Sequence, residues 1–206
     1  MIRFTHEDKA RITAAIHAAE KSTSGEFVAV VARASEHYVA LPLLWSAILA
    51  LLLPGACLLA GVSLRWVHLY QIQLLVFIVL TVLLLSVPGL HLMLVPRHVK
   101  RAHAARLAKS QFYAQGVQLT PHHSGVLLFV SLAERYVEIV ADKGIHERIG
   151  EARWKAIIDG FVGQVRRGRV ADGFVEAIGA CGAAMAEHYP PDPSEINELS
   201  DGLVEL

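Results

Sequence analysis

The chain has 206 residues, 54% of them hydrophobic, and its 19 Lys and Arg balance its 19 Asp and Glu. Zero net charge removes the general case for a nucleic-acid binder, whose footprint is a basic excess, so no nucleic-acid partner is expected. The two cysteines, Cys57 and Cys181, form no CxxC pair and make no case for a disulfide framework or a zinc site.

Residues Thr5 to Ser22 read as a helix. Thr5 followed three residues later by Asp8 resembles a capping box with Asp in place of Glu. Ile12, Ile16 and Ala19 share one face, and Gly25 is a stop signal just beyond. Glu26 to Ala32 is apolar almost throughout, the pattern of a strand buried on both faces.

From Val39 to Leu64 the chain has no Asp, Glu, Lys or Arg, and after the single Arg65 it has none from Trp66 to Val95. Each run exceeds the roughly 20 residues a helix needs to cross a ~30 Å hydrocarbon core. In lipid a helix satisfies its own backbone, so the expectation is a transmembrane helical hairpin with spans 39–62 and 69–95. Pro54-Gly55 and Pro88-Gly89 are expected to kink the spans, and His91 to sit at the interface. No acid or base lies at mid-depth, which leaves a transporter pathway without groups to work with. Past the second span come Arg97, Lys100, Arg101, Arg106 and Lys109, with no acid before Glu134; the linker carries Arg65 alone. The positive-inside rule then puts both termini in the cytoplasm and the linker outside. Membrane lipid is the first expected partner.

Pro96 to Gln115 reads as a basic helix continuing from the second span, with Val99, Leu107 and Phe112 turned inward. A loop follows; its adjacent His122 and His123 have no third ligand near them and read as loop residues. Gly125 to Leu132 is a second buried strand and Arg135 to Ala141 a third, joined tightly as an antiparallel hairpin. The first and second strands can lie parallel, because a long crossover separates them. Asp142-Lys143-Gly144 reads as a turn. Gly150 to Arg167 is the clearest amphipathic helix, with Trp154, Ile157, Phe161 and Val165 on one stripe. Arg166, Arg167 and Arg169 gather at its end. Val170 to His188 is the last helix, with Phe174, Ile178, Cys181 and Met185 on one side, and Cys181 reads as a packing residue. The expected organisation is a first part of one α/β domain (1–38), the membrane hairpin (39–95), the rest of the domain (96–190) and a C-terminal tail (191–206), which either tucks back or stays loose.

The segments Thr23 to Val31, Ser124 to Val140 and Arg167 to Phe174 resemble, in order and spacing, the TPM domain family, and a membrane hairpin after the first strand is similar to a bacterial subgroup of it. The resemblance implies an α/β sandwich with a small mixed β-sheet and helices packed on it, here interrupted by the two-helix hairpin. It also implies residence in the bacterial plasma (inner) membrane. The family includes plant thylakoid members linked to photosystem repair, some described as acid phosphatases that bind divalent cations, and an animal receptor-associated member. This chain differs at several family positions: the acidic pair before Arg135 is Ala133-Glu134, an Asn is Ser124, and an aromatic-acid pair is Ala171-Asp172.

No reaction is written in the residues themselves. The preferred expectation is a membrane-anchored interaction or accessory module at the cytoplasmic face, with Arg97, Lys100, Arg101, Arg106, Arg166 and Arg167 meeting the membrane surface or a membrane-protein partner. The alternative is a divalent-cation-dependent phosphatase acting on phosphate monoesters. In that alternative Glu134, Asp142 and Asp172 supply oxygens for Mg2+ or Ca2+, Arg135 or Lys143 meets an anion, and His146 moves a proton, with Asp142 and Arg135 also catalytic candidates. Oligomeric state is left open.

Overall fold

The computed structural model describes residues 4–36, 38–62, 65–87, 89, 92–93, 95–120, 124–191, 199 and 202–206. The chain divides into two compact units, Met1–Ser35 with Ala102–Leu206, and Glu36–Arg101.

The first unit is a mixed sheet between helices. Helix α1 (His6–Glu20) begins at Thr5, whose hydroxyl accepts from the Asp8 amide at 3.1 Å while Asp8 Oδ2 accepts from the Thr5 amide at 2.9 Å. This reciprocal pair satisfies two amide donors at the helix start, as the Thr5–Asp8 spacing predicts. Strands β1 (Glu26–Ala32) and β2 (Gly125–Ser131) run parallel, with Glu26 opposite Gly125 and Ala32 opposite Ser131. Strand β3 (Tyr136–Ala141) returns antiparallel to β2, with Ser131 opposite Tyr136 and Val126 opposite Ala141. A two-residue strand from the tail, β4 (Val204–Glu205), lies parallel to β1 and makes the order β3-β2-β1-β4.

Because side chains alternate along a strand, β1 and β2 feed two cores. One face carries Phe27, Ala29, Val31, Val126, Leu128 and Val130 and meets helices α1, α6 (Glu151–Arg166) and α7 (Val170–Ala186). The other carries Val28, Val30, Leu127 and Phe129 and meets α4 (Arg97–Ala114) through Ala104, Ala108 and Phe112. Phe112 and the partly buried Leu107 face this core, as read in the sequence, and Ala104 and Ala108 join them; Val99 is half-buried. Small side chains let a helix approach a sheet closely. The turn after the helix, Val117–Leu119, seats against the start of β2, and this explains Gly125, where a Cβ would stand 2.3 Å from the Val117 carbonyl oxygen.

Asp142-Lys143-Gly144 is more than a turn. Asp142 stands at the N-cap of a short helix, α5 (Lys143–Ile149), because Ile145 and Ile149, four residues apart, both reach the core. Part of the tail returns to the sheet: Leu203 rests on one core and Val204 on the other, and Lys9 Nζ meets Glu205 at 2.7 Å.

The second unit contains α2 (Ala40–Leu59) and α3 (Trp66–Ser86), each long and apolar enough to cross a membrane. Helix α2 continues through Pro54. It buries Pro42, Ser46 and Ala50, and Ser46 Oγ lies 2.8 Å from Thr81 Oγ1 of α3. The second helix stops at Ser86 rather than running to Val95. Val87, the residue before Pro88, is extended (φ −87, ψ 110), as a following proline ring demands. Pro88 and His91 lie outside the described residues, as do His122 and His123.

Candidate functional site

Polar side chains of the folded unit collect at three places, and the residues singled out in the sequence are shared among them. The first is the turn between α6 and α7. Gly168, in the left-handed region at φ 78, closes α6 with its amide on the Val165 carbonyl at 3.0 Å, and the Arg169 amide reaches the Gln164 carbonyl at 3.0 Å. That pairing is a Schellman cap, and it needs a residue without a Cβ at Gly168. Its consequence is that Arg166, Arg167 and Arg169 are all held at one exposed corner.

Beside that corner is a shallow polar cleft of about 240 Å³ bounded by Phe4, Asp8, Arg11, Arg169 and Asp172. Arg11 Nη2 donates to Asp172 Oδ1 at 2.6 Å, so the Asp172 carboxylate is committed to a neighbouring helix. The bond and charge of Asp172 push the Arg11 guanidinium above its usual range. The Asp8 carboxyl is held below its usual range, first by the Thr5 amide and then by the Thr5 hydroxyl.

The second place is the end of the sheet where β1 finishes. Glu134 accepts from the Ser35 amide at 3.0 Å and from the hydroxyl of the fully buried Ser131; Ser35 Oγ donates to Ser131 Oγ at 3.0 Å. Glu134 thus ties the β2–β3 turn to the chain leaving β1. Arg135 beside it has φ 52, the left-handed region, and its amide closes the turn on the Leu132 carbonyl at 3.3 Å. A β-hairpin turn of this length needs one such residue, a position where glycine or asparagine is the usual choice.

The third place is the opposite end of the sheet. Asp142 donates its amide to the Gly125 carbonyl at 3.2 Å. Lys143 and His146 are exposed on α5, with Lys143 Nζ 3.9 Å from Glu147. Arg148 stacks over the Tyr189 ring at 5.2 Å, and Thr23 Oγ1 donates to the Tyr189 carbonyl at 2.6 Å.

This distribution decides how the three proposed ligands relate. Glu134 follows Ser131 and Asp142 faces Gly125, so the length of β2 separates them, about 20 Å at the usual rise per residue. Asp172 belongs to the helix layer and pairs with Arg11. The fold therefore gives these three carboxylates no common ion position. Among the described residues, no group of three or more His, Cys, Asp or Glu side chains is gathered as a metal site. Arg135 and His146 are likewise on opposite ends of β3. Cys181 is buried, and burial pushes its thiol up to about 12, far from a thiolate nucleophile.

The basic residues of α4 are exposed or half-buried. Lys100 Nζ donates to the Leu92 carbonyl at 2.9 Å, and Arg106 Nε to the Ala102 carbonyl at 3.2 Å. Arg97 and Arg101 are exposed. Arg11, Ser35 and Ser131 escape a reading of the sequence. Arg11 is 161 positions from Asp172 and Ser35 is 99 from Glu134. Only the three-residue spacing of Ser131 and Glu134 across a tight turn was a local signal.

A family model described as TPM domain matches residues 90–184. Among solved structures the chain is similar to the NMR structure of the BA42 protein from the psychrophilic bacterium Bizionia argentinensis. The identity is 19% and the TM-score 0.63, with 100% of this chain and 97% of that one covered. At that identity the likeness shows the fold. No curated protein matches the chain.

Proposed function

The chain carries a TPM domain, and on that premise we propose that it is a membrane-anchored accessory module that docks a membrane-protein partner at the cytoplasmic face of a bacterial inner membrane. The observation that carries this reading is the surface of α2 and α3. Leu58, Leu59 and Trp66 are more than four-fifths exposed, on helices without a charged residue. In water such a surface is a liability; in hydrocarbon it is the expected one. The chain passes through the bilayer twice, and both termini are cytoplasmic. Support for that orientation is the contrast between Arg97, Lys100, Arg101, Arg106 and Lys109 after α3 and the lone Arg65 between the helices.

The partner contact in this reading is the corner Arg166–Arg167–Arg169. Three arginines on one turn favour an acidic surface, and arginine is the residue best suited to paired hydrogen bonds with carboxylates. The test is affinity capture from membranes, with the hairpin intact and the three arginines changed together to alanine. Loss of the co-purifying membrane protein is expected. An unchanged set of partners sinks the docking corner. A thiol placed by Arg65→Cys should react with an impermeant reagent added from outside. Reaction only after lysis reverses the topology.

A phosphatase using Mg2+ or Ca2+ needs clustered carboxylates to hold the ion. The separation of Glu134, Asp142 and Asp172 removes the main support for that alternative, and no other group among the described residues replaces it. Hydrolysis of a phosphate ester that Asp142→Asn abolishes would reinstate it.

A further inference from the structure

In the folded unit, the described residues leave three large apolar side chains exposed: Tyr113 at 65%, Leu119 at 73% and Leu206 at 45%. Two of the three stand together at the end of α4. That helix turns Ala104, Ala108 and Phe112 into the core. The opposite side, at steps of four, three and four residues, carries Ala102, Arg106, Lys109 and Tyr113, all exposed. The Tyr113 ring sits edge-on to Phe112, with centroids 5.7 Å apart, so its base is anchored while its tip is free. After Gly116 a single turn, Val117–Leu119, sends Val117 into the core and Leu119 outward. Gln118 Nε2 donates to the Tyr113 carbonyl at 3.4 Å and holds that turn against the helix end.

The charge on this face has one sign. The chain has no Asp or Glu from residue 37 to residue 133, so α4 and the turn after it carry cations only. Among the described ion pairs, none involves Arg106 or Lys109. A row of cations with an aromatic and a leucine at one end is the chemistry of a surface that rests on anionic lipid. The cations meet the headgroups, and the two apolar tips enter the boundary between headgroups and chains. Tyrosine suits that depth, having an apolar body and a polar tip. A protein partner fits less well, because two isolated apolar tips make no continuous core for an interface.

We infer that the stripe Ala102–Arg106–Lys109–Tyr113, together with Leu119, is a lipid-contact face through which the folded unit itself rests on an anionic bilayer. The inference rests on the membrane reading above and adds a second attachment, separate from the helix pair and reversible by salt.

The test uses the full chain carrying Cys57→Ala, reconstituted in vesicles of phosphatidylcholine alone or mixed with phosphatidylglycerol. An environment-sensitive dye is attached through Tyr113→Cys, through Leu119→Cys, or through Ala183→Cys on the exposed side of α7 as a reference. Quenching by a lipid spin-labelled near its headgroup is read in each case. The expected result is quenching at 113 and 119 several-fold above that at 183 in phosphatidylglycerol vesicles. High salt, or Arg106→Gln with Lys109→Gln, should reduce it. Quenching at 113 and 119 no greater than at 183, in protein that floats with the vesicles and keeps its circular dichroism, overturns the inference and leaves the anchor standing. Protein that does not float with either vesicle overturns the anchor, and this face with it.

Discussion

Strand β1 and helix α3 are built from the same kinds of side chain and use them in opposite ways. All seven residues of β1 are buried, whereas α3 has no buried residue along its length. In β1 the apolar groups alternate between two cores, and protein covers both. In α3 they point all round, and one neighbouring helix covers little of them. The difference teaches that hydrophobicity alone does not say what the solvent is. A strand closed on both faces needs only the rest of its domain, while α3, apolar on every side and left uncovered, is long and apolar enough to cross a membrane. The sheet unit is held by tertiary burial, and on the membrane-anchor proposal the helix pair is held by its medium.

The sharpest way to break that comparison is a large truncation in each unit. Phe174 is fully buried, with edge contacts to Phe4 at 5.9 Å and Phe161 at 5.2 Å. Phe174→Ala should destabilise the folded unit by about 3–5 kcal/mol, read by thermal or urea unfolding in detergent micelles. Leu75→Ala, at an exposed position of α3, should change the same transition little. Comparable losses from both would mean that the two units bury their side chains alike.

Gly125→Ala should come next. Its new methyl would meet the Val117 carbonyl oxygen and side chain, and a clash with backbone cannot be relieved by a rotamer change. A loss of about 1–3 kcal/mol is expected in the unfolding transition. No loss would mean that the turn at Val117 and the start of β2 are less closely seated than described.

Inside the helix pair the effects should be smaller. Ser46→Ala removes the hydroxyl contact to Thr81. Because polar contacts in a bilayer are modest, the expected cost is about 0.6 kcal/mol, measured by steric trapping or by the denaturant midpoint of α2–α3 unfolding. A change as large as that of Phe174→Ala would show that the pair depends on specific contacts.

The smallest effect is in pH. Arg153 holds the Glu187 carboxyl below its ordinary value of 4.5 through a two-pronged bond at 2.6 and 2.7 Å, and Thr5 holds that of Asp8 below 3.8. A depressed folded value stabilises above the unfolded value, and that stabilisation is lost as pH falls through the folded one. Melting temperature should therefore be flat from neutral pH down to the carboxylate range and decline below it. Glu187→Gln should flatten part of the acid limb. Both carboxylates are exposed, so screening by solvent keeps the effect slight. A decline beginning near neutral pH would point to other groups.

Local signals in the chain were read correctly where the structure satisfies them locally. Thr5 and Asp8 cap α1 because the partners are three residues apart. Phe174, Ile178, Cys181 and Met185 are all buried because helical period alone places them on one side. The parallel pairing of β1 with β2 and the β2–β3 hairpin follow from strand patterning and connection length. Helix α5 is not legible in the sequence because Gly144 near its start reads as a turn, while Ile145 and Ile149 gain from helix only once a core exists to receive them.

The runs without charge from Val39 to Leu64 and from Trp66 to Val95 were enough to announce two apolar helices, because the absence of charge along a segment is a property of the chain in one dimension. Where Glu134, Asp142 and Asp172 would stand was decided only by the fold. One closes a hairpin at one end of the sheet, one belongs to the residue that precedes a short helix at the other, and the third pairs with Arg11 across 161 positions. Convergence of side chains depends on which strand ends and helix faces come together, and burial of apolar surface chooses that for reasons unrelated to the carboxylates themselves.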